Sequence, residues 1–180
     1  MNHSKKIIAT GACLFLLLTS RVFAIGCGVK VSGVPGVLFN EETARLERFT
    51  ANVSGSVRFS RLPVAAGCGI LAGKDFSETS YGLSAYADYY ALDVQLKNTW
   101  NLFSGFGVEG SLLTPDFKKL TASAGARFFA GMNWLFYDNY LEVYVQQNVV
   151  PTCVKHIDSA SSSTDFMLCL PLEAGVRFHF

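Results

Sequence analysis

The sequence predicts an all-β protein: an eight-stranded antiparallel up-and-down transmembrane β-barrel with short periplasmic turns and longer extracellular loops. Three observations carry that prediction. The last fifteen residues alternate chemically without a slip, the chain opens on an export signature, and eight runs of period two are joined by connections that alternate long and short. In the terminal run, Phe180, Phe178, Val176, Ala174, Leu172, Leu170, Leu168 and Phe166 share one face, while His179, Arg177, Gly175, Glu173, Pro171, Cys169 and Met167 share the other. Period two is a strand signature. A run this long, charged on one side only, suits a strand crossing a bilayer, which needs about 9–11 residues, with lipid outside and a polar interior. An amphipathic strand of a soluble protein is the plainer alternative.

Residues 1–24 read as a secretory signal peptide. Lys5 and Lys6 charge its start, Ile7 to Leu18 form the apolar stretch, and Val22-Phe23-Ala24 is a small-residue cleavage site. A membrane anchor fits less well, because the apolar stretch is shorter than the roughly 18 residues of a spanning helix. Ala24-Ile25-Gly26-Cys27 loosely resembles a lipobox but lacks Leu where one is most expected, so cleavage after Ala24 fits better than acylation of Cys27. Residues 25–180 then form the barrel domain. Of the 15 Lys and Arg, Lys5, Lys6 and Arg21 lie in the leader and none of the 14 acids does, leaving 12 cations against 14 acids and a net charge of −2. That balance, with no basic cluster among aromatics, argues against nucleic acid as a partner. Half of the residues are hydrophobic, yet no further apolar run reaches helix-spanning length, as alternating barrel strands would give. A soluble β-sandwich could be equally apolar.

In order, the strands are read at 25–38, 49–60, 64–73, 81–96, 102–113, 120–135, 140–153 and 166–180. Arg61-Leu62-Pro63, Lys97 to Asn101 and Phe136 to Asn139 are the short connections. Phe39 to Arg48, Lys74 to Ser80, Thr114 to Lys119 and Val154 to Asp165 are the long ones. An even count with this asymmetry puts both termini on the periplasmic side. The second strand sets Phe49, Ala51, Val53, Gly55, Val57 and Phe59 against Thr50, Asn52, Ser54, Ser56, Arg58 and Ser60. The sixth alternates likewise from Leu120 to Trp134. Two places strain the pattern. Gln147 falls on the lipid face, and the fourth strand changes phase between Asp88 and Asp93, which calls for a bulge. Trp100, Phe103, Trp134, Phe136, Tyr137, Tyr140, Phe178 and Phe180 gather towards the periplasmic rim as an aromatic girdle would.

The alternation aims Lys30, Arg58, Arg127 and Arg177 inward against Asp88, Glu109, Glu142 and Glu173. By strand order Glu109 meets Arg127, Glu142 meets Arg177, and Glu173 meets Lys30 across the closing seam, removing the cost of isolated buried charge. Side chains just fill an eight-stranded interior, so a salt-bridged plug is the plainer reading and any conduction path is partial or gated. Of the four cysteines in 25–180, Cys153 and Cys169 flank the last loop and are a candidate disulfide. Alternation puts them on opposite faces, so that bridge requires a bulge. Cys68 reads as a small apolar residue, buried or lipid-facing. Pro35 and Pro171 fall at similar height on the two seam strands, roughly 20 Å up a band of about 25 Å, and neither donates to the ladder. They mark either simple strand ends or a lateral opening.

The terminal Val176-Arg177-Phe178-His179-Phe180 resembles the C-terminal assembly signal of bacterial outer-membrane barrels, with Phe178 and Phe180 its aromatics. The chain as a whole resembles small barrels of the OmpA transmembrane, OmpX and OmpW type, and in composition those of treponemes. The resemblance implies an outer-membrane location, folding by the outer-membrane assembly machinery and surrounding outer-membrane lipid. It further implies either OmpW-like passage of small hydrophobic solutes or a plugged structural or adhesive barrel whose loops bind host surface or envelope ligands. Some eight-stranded barrels modify lipid A acyl chains using a His with Ser and an acid. Here His156-Ile157-Asp158-Ser159 offers that composition only in a low-complexity loop, and His179 has no evident partner set. No enzyme activity, cofactor or metal is therefore expected. A lipocalin-like soluble barrel, with its faces inverted, is the third alternative.

Overall fold

Alternation along each run becomes alternation across a wall. The computed structural model describes residues 25–40, 43–59, 62–75, 79–97, 99–115, 119–157 and 162–180; the leader, 1–24, lies outside them. Strands β1 (Ile25–Asn40), β2 (Thr43–Phe59), β3 (Val64–Asp75), β4 (Thr79–Lys97), β5 (Trp100–Thr114), β6 (Leu120–Phe136) and β7 (Leu141–Ile157) pair antiparallel, each with the next. β8 (Ser162–Cys169) and β9 (Leu172–His179) are two halves of one last strand. Both halves lie between β7 and β1, and the same register runs through them: Gly33 faces Leu172 and Gly36 faces Cys169. With β1 also paired to β2, the sheet closes into an eight-stranded barrel.

The faces fall as the alternation requires. Val53, Ile70, Leu83, Val108, Leu112, Phe128, Leu172 and Val176 are exposed on the outside, whereas Lys30, Asn52, Ser54, Asp88, Arg127, Glu142, Glu173 and Arg177 are buried inside. An apolar exterior around a charged interior is stable only when the surroundings are lipid, since water would reverse both preferences. This excludes the lipocalin-like arrangement. The phase change in the fourth run is a bulge: Tyr90 faces Gly105 but Leu92 faces Ser104, leaving Ala91 extra.

Several expectations are corrected. Most of 39–48 is paired strand rather than loop, because β1 continues to Asn40 and β2 starts at Thr43. β7 and β8 likewise extend over much of 154–165. A backbone ladder needs no apolar face to continue, so hydropathy does not mark its end. Phe103 is not in the girdle but buried in the lumen with Ala65, Tyr90, Phe129 and Tyr144. At the rim Trp100 packs against Trp134, with ring centroids 5.1 Å apart, and Tyr140 against Phe178 and Phe180. Cys153 and Cys169 are both free thiols. Cys153 faces Phe166 while Cys169 faces Val150, so they stand in different rows and on opposite faces, and no bulge brings them together.

Candidate functional site

Two ionic clusters fill the lumen, one above the other. In the upper cluster Arg127, from β6, reaches three acids: its Nη2 is 2.6 Å from Glu173 Oε2, its Nη1 2.8 Å from Glu109 Oε2 and its Nε 3.0 Å from Asp88 Oδ1. Lys30 Nζ donates to the same Glu173 oxygen at 2.8 Å. The Tyr86 ring lies beneath both cations, 3.6 Å from Lys30 Nζ and 4.9 Å from the Arg127 guanidinium carbon. Opposite charges this close, desolvated together, hold one another in place.

The lower cluster gathers around Glu142 near the periplasmic mouth. Arg177 Nη1 donates to it at 2.8 Å, Asn133 Nδ2 at 2.6 Å and Arg58 Nη1 at 3.2 Å, and His179 Nε2 lies 2.8 Å away. Arg58 also pairs with Asp93. Between the clusters stand Tyr90, Phe103, Phe129 and Tyr144, and Arg58 and Arg177 lie over the Tyr90 and Tyr144 rings. Inward glycines make this filling fit. A Cβ on Gly175 would sit 2.6 Å from the Tyr144 ring, and one on Gly67 would sit 2.5 Å from Tyr86.

All eight inward charges read from the sequence therefore enter the two clusters, and the three pairs read from strand order are formed. Sequence reasoning missed Asp93, Asn133 and the partner of His179, and it missed the contacts that cross the lumen, Arg127 with Asp88 and Glu173 and Arg58 with Glu142. Asp93 was legible once Ala91 is counted as extra; the cross-lumen contacts left no local signal. His156 meets Thr121 Oγ1 at 3.1 Å and Asp165 at 3.6 Å, on an open rim. Asp158 and Ser159 lie outside the described residues.

Above the plug the lumen is of mixed character, with Arg48, Thr50, Glu109 and Thr152 beside apolar side chains. A small cavity of about 60 Å³ is lined by Val34, Gly36, Leu71, Val150, Met167 and Cys169 among others, beside the break between β8 and β9. Pro35 and Pro171 each delete one ladder donor there. On the β1 side Leu170 N–H donates to Pro35 O at 3.0 Å, and the return bond has no donor. On the β7 side the loss is made good, because the Gln147 side-chain amide donates at 3.0 Å to Asn148 O, the acceptor that the missing Pro171 N–H leaves. Pro171 O accepts from the Asn148 N–H at 2.8 Å, and also from the side-chain amides of Asn148 and Gln147, each at 3.2 Å. The Gln147 that strained the alternation thus braces the break on the β7 side.

No protein-family model matches the chain, and no curated protein does. Among solved structures the chain is similar to Neisserial surface protein A (NspA) at 12% identity, with a TM-score of 0.54, covering 87% of this chain and 97% of that one. It is similar also to the outer membrane protein AlkL, solved in lipid bilayers, at 11% identity and a TM-score of 0.54, covering 88% of this chain and 90% of that one. The fold is that of a small outer-membrane barrel.

Proposed function

We propose that the protein works in the outer membrane in an OmpW-like manner. Small hydrophobic solutes enter the outer half of the lumen, pass its apolar side chains Val34, Leu71, Val150 and Met167, and leave sideways into the bilayer between β1 and the β8–β9 break. The observation that carries this reading is the conjunction of that cavity with a seam half-bonded on the β1 side and braced on the β7 side. The charged plug bars an apolar solute from going further down, since it would have to displace paired, buried charges. At about 60 Å³ the cavity holds roughly two waters, so passage requires the seam to part. The same plug favours the second reading, a structural or adhesive barrel without conductance, with outer loops that bind host or envelope partners.

A single substitution tests the route. Gly36 and native Cys169 face each other next to the hydrogen-bonded Pro35–Leu170 pair. They form a non-hydrogen-bonded pair, whose Cα atoms lie about 4.5 Å apart, within disulfide reach. The new Cβ would press only on the far end of Met167. Oxidised Gly36→Cys should lose hydrophobic solute uptake into liposomes, regain it on reduction and keep the heat-modifiable gel shift of a closed barrel. Undiminished uptake with a verified cross-link refutes the lateral route. No uptake by the wild-type barrel supports the plugged reading.

A further inference from the structure

The outer wall carries a groove that the barrel's own packing does not require. Along one row of the register, Gly55, Cys68, Ala85, Gly110 and Ala124 stand side by side on five consecutive strands, β2 to β6. The row above is Val53, Ile70, Leu83 and Leu112, all exposed. The concavity they bound has a volume of about 890 Å³ and is lined also by Val29 and Ala122. A Cβ on Gly55 would meet nothing within 4 Å, and one on Gly110 would only touch Ser123 O at 3.5 Å. Larger side chains would fit at both, and their absence leaves a hollow in a surface that faces lipid.

The shape decides the occupant. A groove crossing five of eight strands bends with the barrel, and a second barrel, itself convex, would meet only a few of them. A flexible hydrocarbon chain follows the curve. Five strands at about 4.8 Å make the groove roughly 20 Å long, and with strands tilted about 45° it climbs about 14 Å, close to one leaflet of a bilayer core about 30 Å thick. Its upper end is marked by charge. Ala122 faces Lys155 on β7, which points outward two residues below Ile157, the end of that strand. Among the described residues Lys155 has no ion-pair partner. A lysine at that height extends its ammonium to the interface and attracts anionic headgroups.

We propose that this groove and Lys155 form a binding site for an anionic phospholipid of the outward-facing leaflet, with an acyl chain along the β2–β6 row and the phosphate against Lys155. The site lies away from the β1–β8/β9 seam and does not depend on the solute route. The folded barrel in detergent, titrated with dipalmitoyl phosphatidylglycerol or dipalmitoyl phosphatidylcholine and read by native mass spectrometry, tests it. The wild type should retain one phosphatidylglycerol, roughly fivefold more tightly than phosphatidylcholine, the contribution expected of one lysine at a lipid surface. Lys155→Gln, a surface change, should abolish that preference. Gly55→Leu with Gly110→Leu should weaken both lipids while the gel shift persists. Equal retention of the two lipids by the wild type, or a preference unchanged in Lys155→Gln, overturns the proposal. So does a dimer that the leucines disperse without altering lipid retention.

Discussion

Arg127→Met is the sharpest test of the plug. The side chain is 1% exposed and, among the described residues, is the cation paired with Asp88 and Glu109, whereas the ion pair of Lys30 is with Glu173. Its loss leaves buried carboxylates uncompensated, a change expected to cost about 3–5 kcal/mol. Glu109→Gln alone should cost about 1 kcal/mol or less, because Glu109 is 20% exposed, water replaces part of the contact, and Arg127 keeps two other acids. In the Arg127→Met background the same Glu109→Gln should stabilise, since it then removes an unpaired charge. The cycle should therefore show a coupling of about 1–2 kcal/mol. Urea unfolding of the barrel in lipid vesicles, followed by tryptophan fluorescence, measures all four corners. Effects additive within about 0.5 kcal/mol would refute the idea that the pair acts as a desolvated unit.

Two further predictions address closure and packing. Deleting Phe180 removes the reciprocal backbone bonds with Ile25, 3.2 and 3.0 Å long, and the contact with Tyr140; the variant should fail to reach the outer membrane, and undiminished membrane levels would contradict the assembly role. Gly175→Ala should cost about 1–3 kcal/mol through overlap with the Tyr144 ring, whereas Gly55→Ala, facing open space, should stay within about 0.5 kcal/mol of the wild type. Equal effects in the same unfolding assay would sink the distinction between a filled lumen and an open outer wall.

Much of the barrel was legible along the chain because strand alternation is local. Each residue's face follows from its neighbours', so the eight strands, the lipid-facing rows and the inward set from Lys30 to Arg177 could be read directly. The pairs Glu109–Arg127, Glu142–Arg177 and Lys30–Glu173 were legible for a related reason: their strands are adjacent, and hairpin counting gives approximate height. What crosses the lumen was not. Arg127 reaches Asp88 and Glu173, and Arg58 reaches Glu142, only because closure sets a stagger between distant strands, and stagger is a property of the whole cylinder. The same closure brought His179 to Glu142 and set Gln147 and Asn148 against the carbonyl of Pro171. The sequence alone determined which face each residue takes; only the tertiary structure decided which inward residues meet, because that depends on the register at which the last strand joins the first.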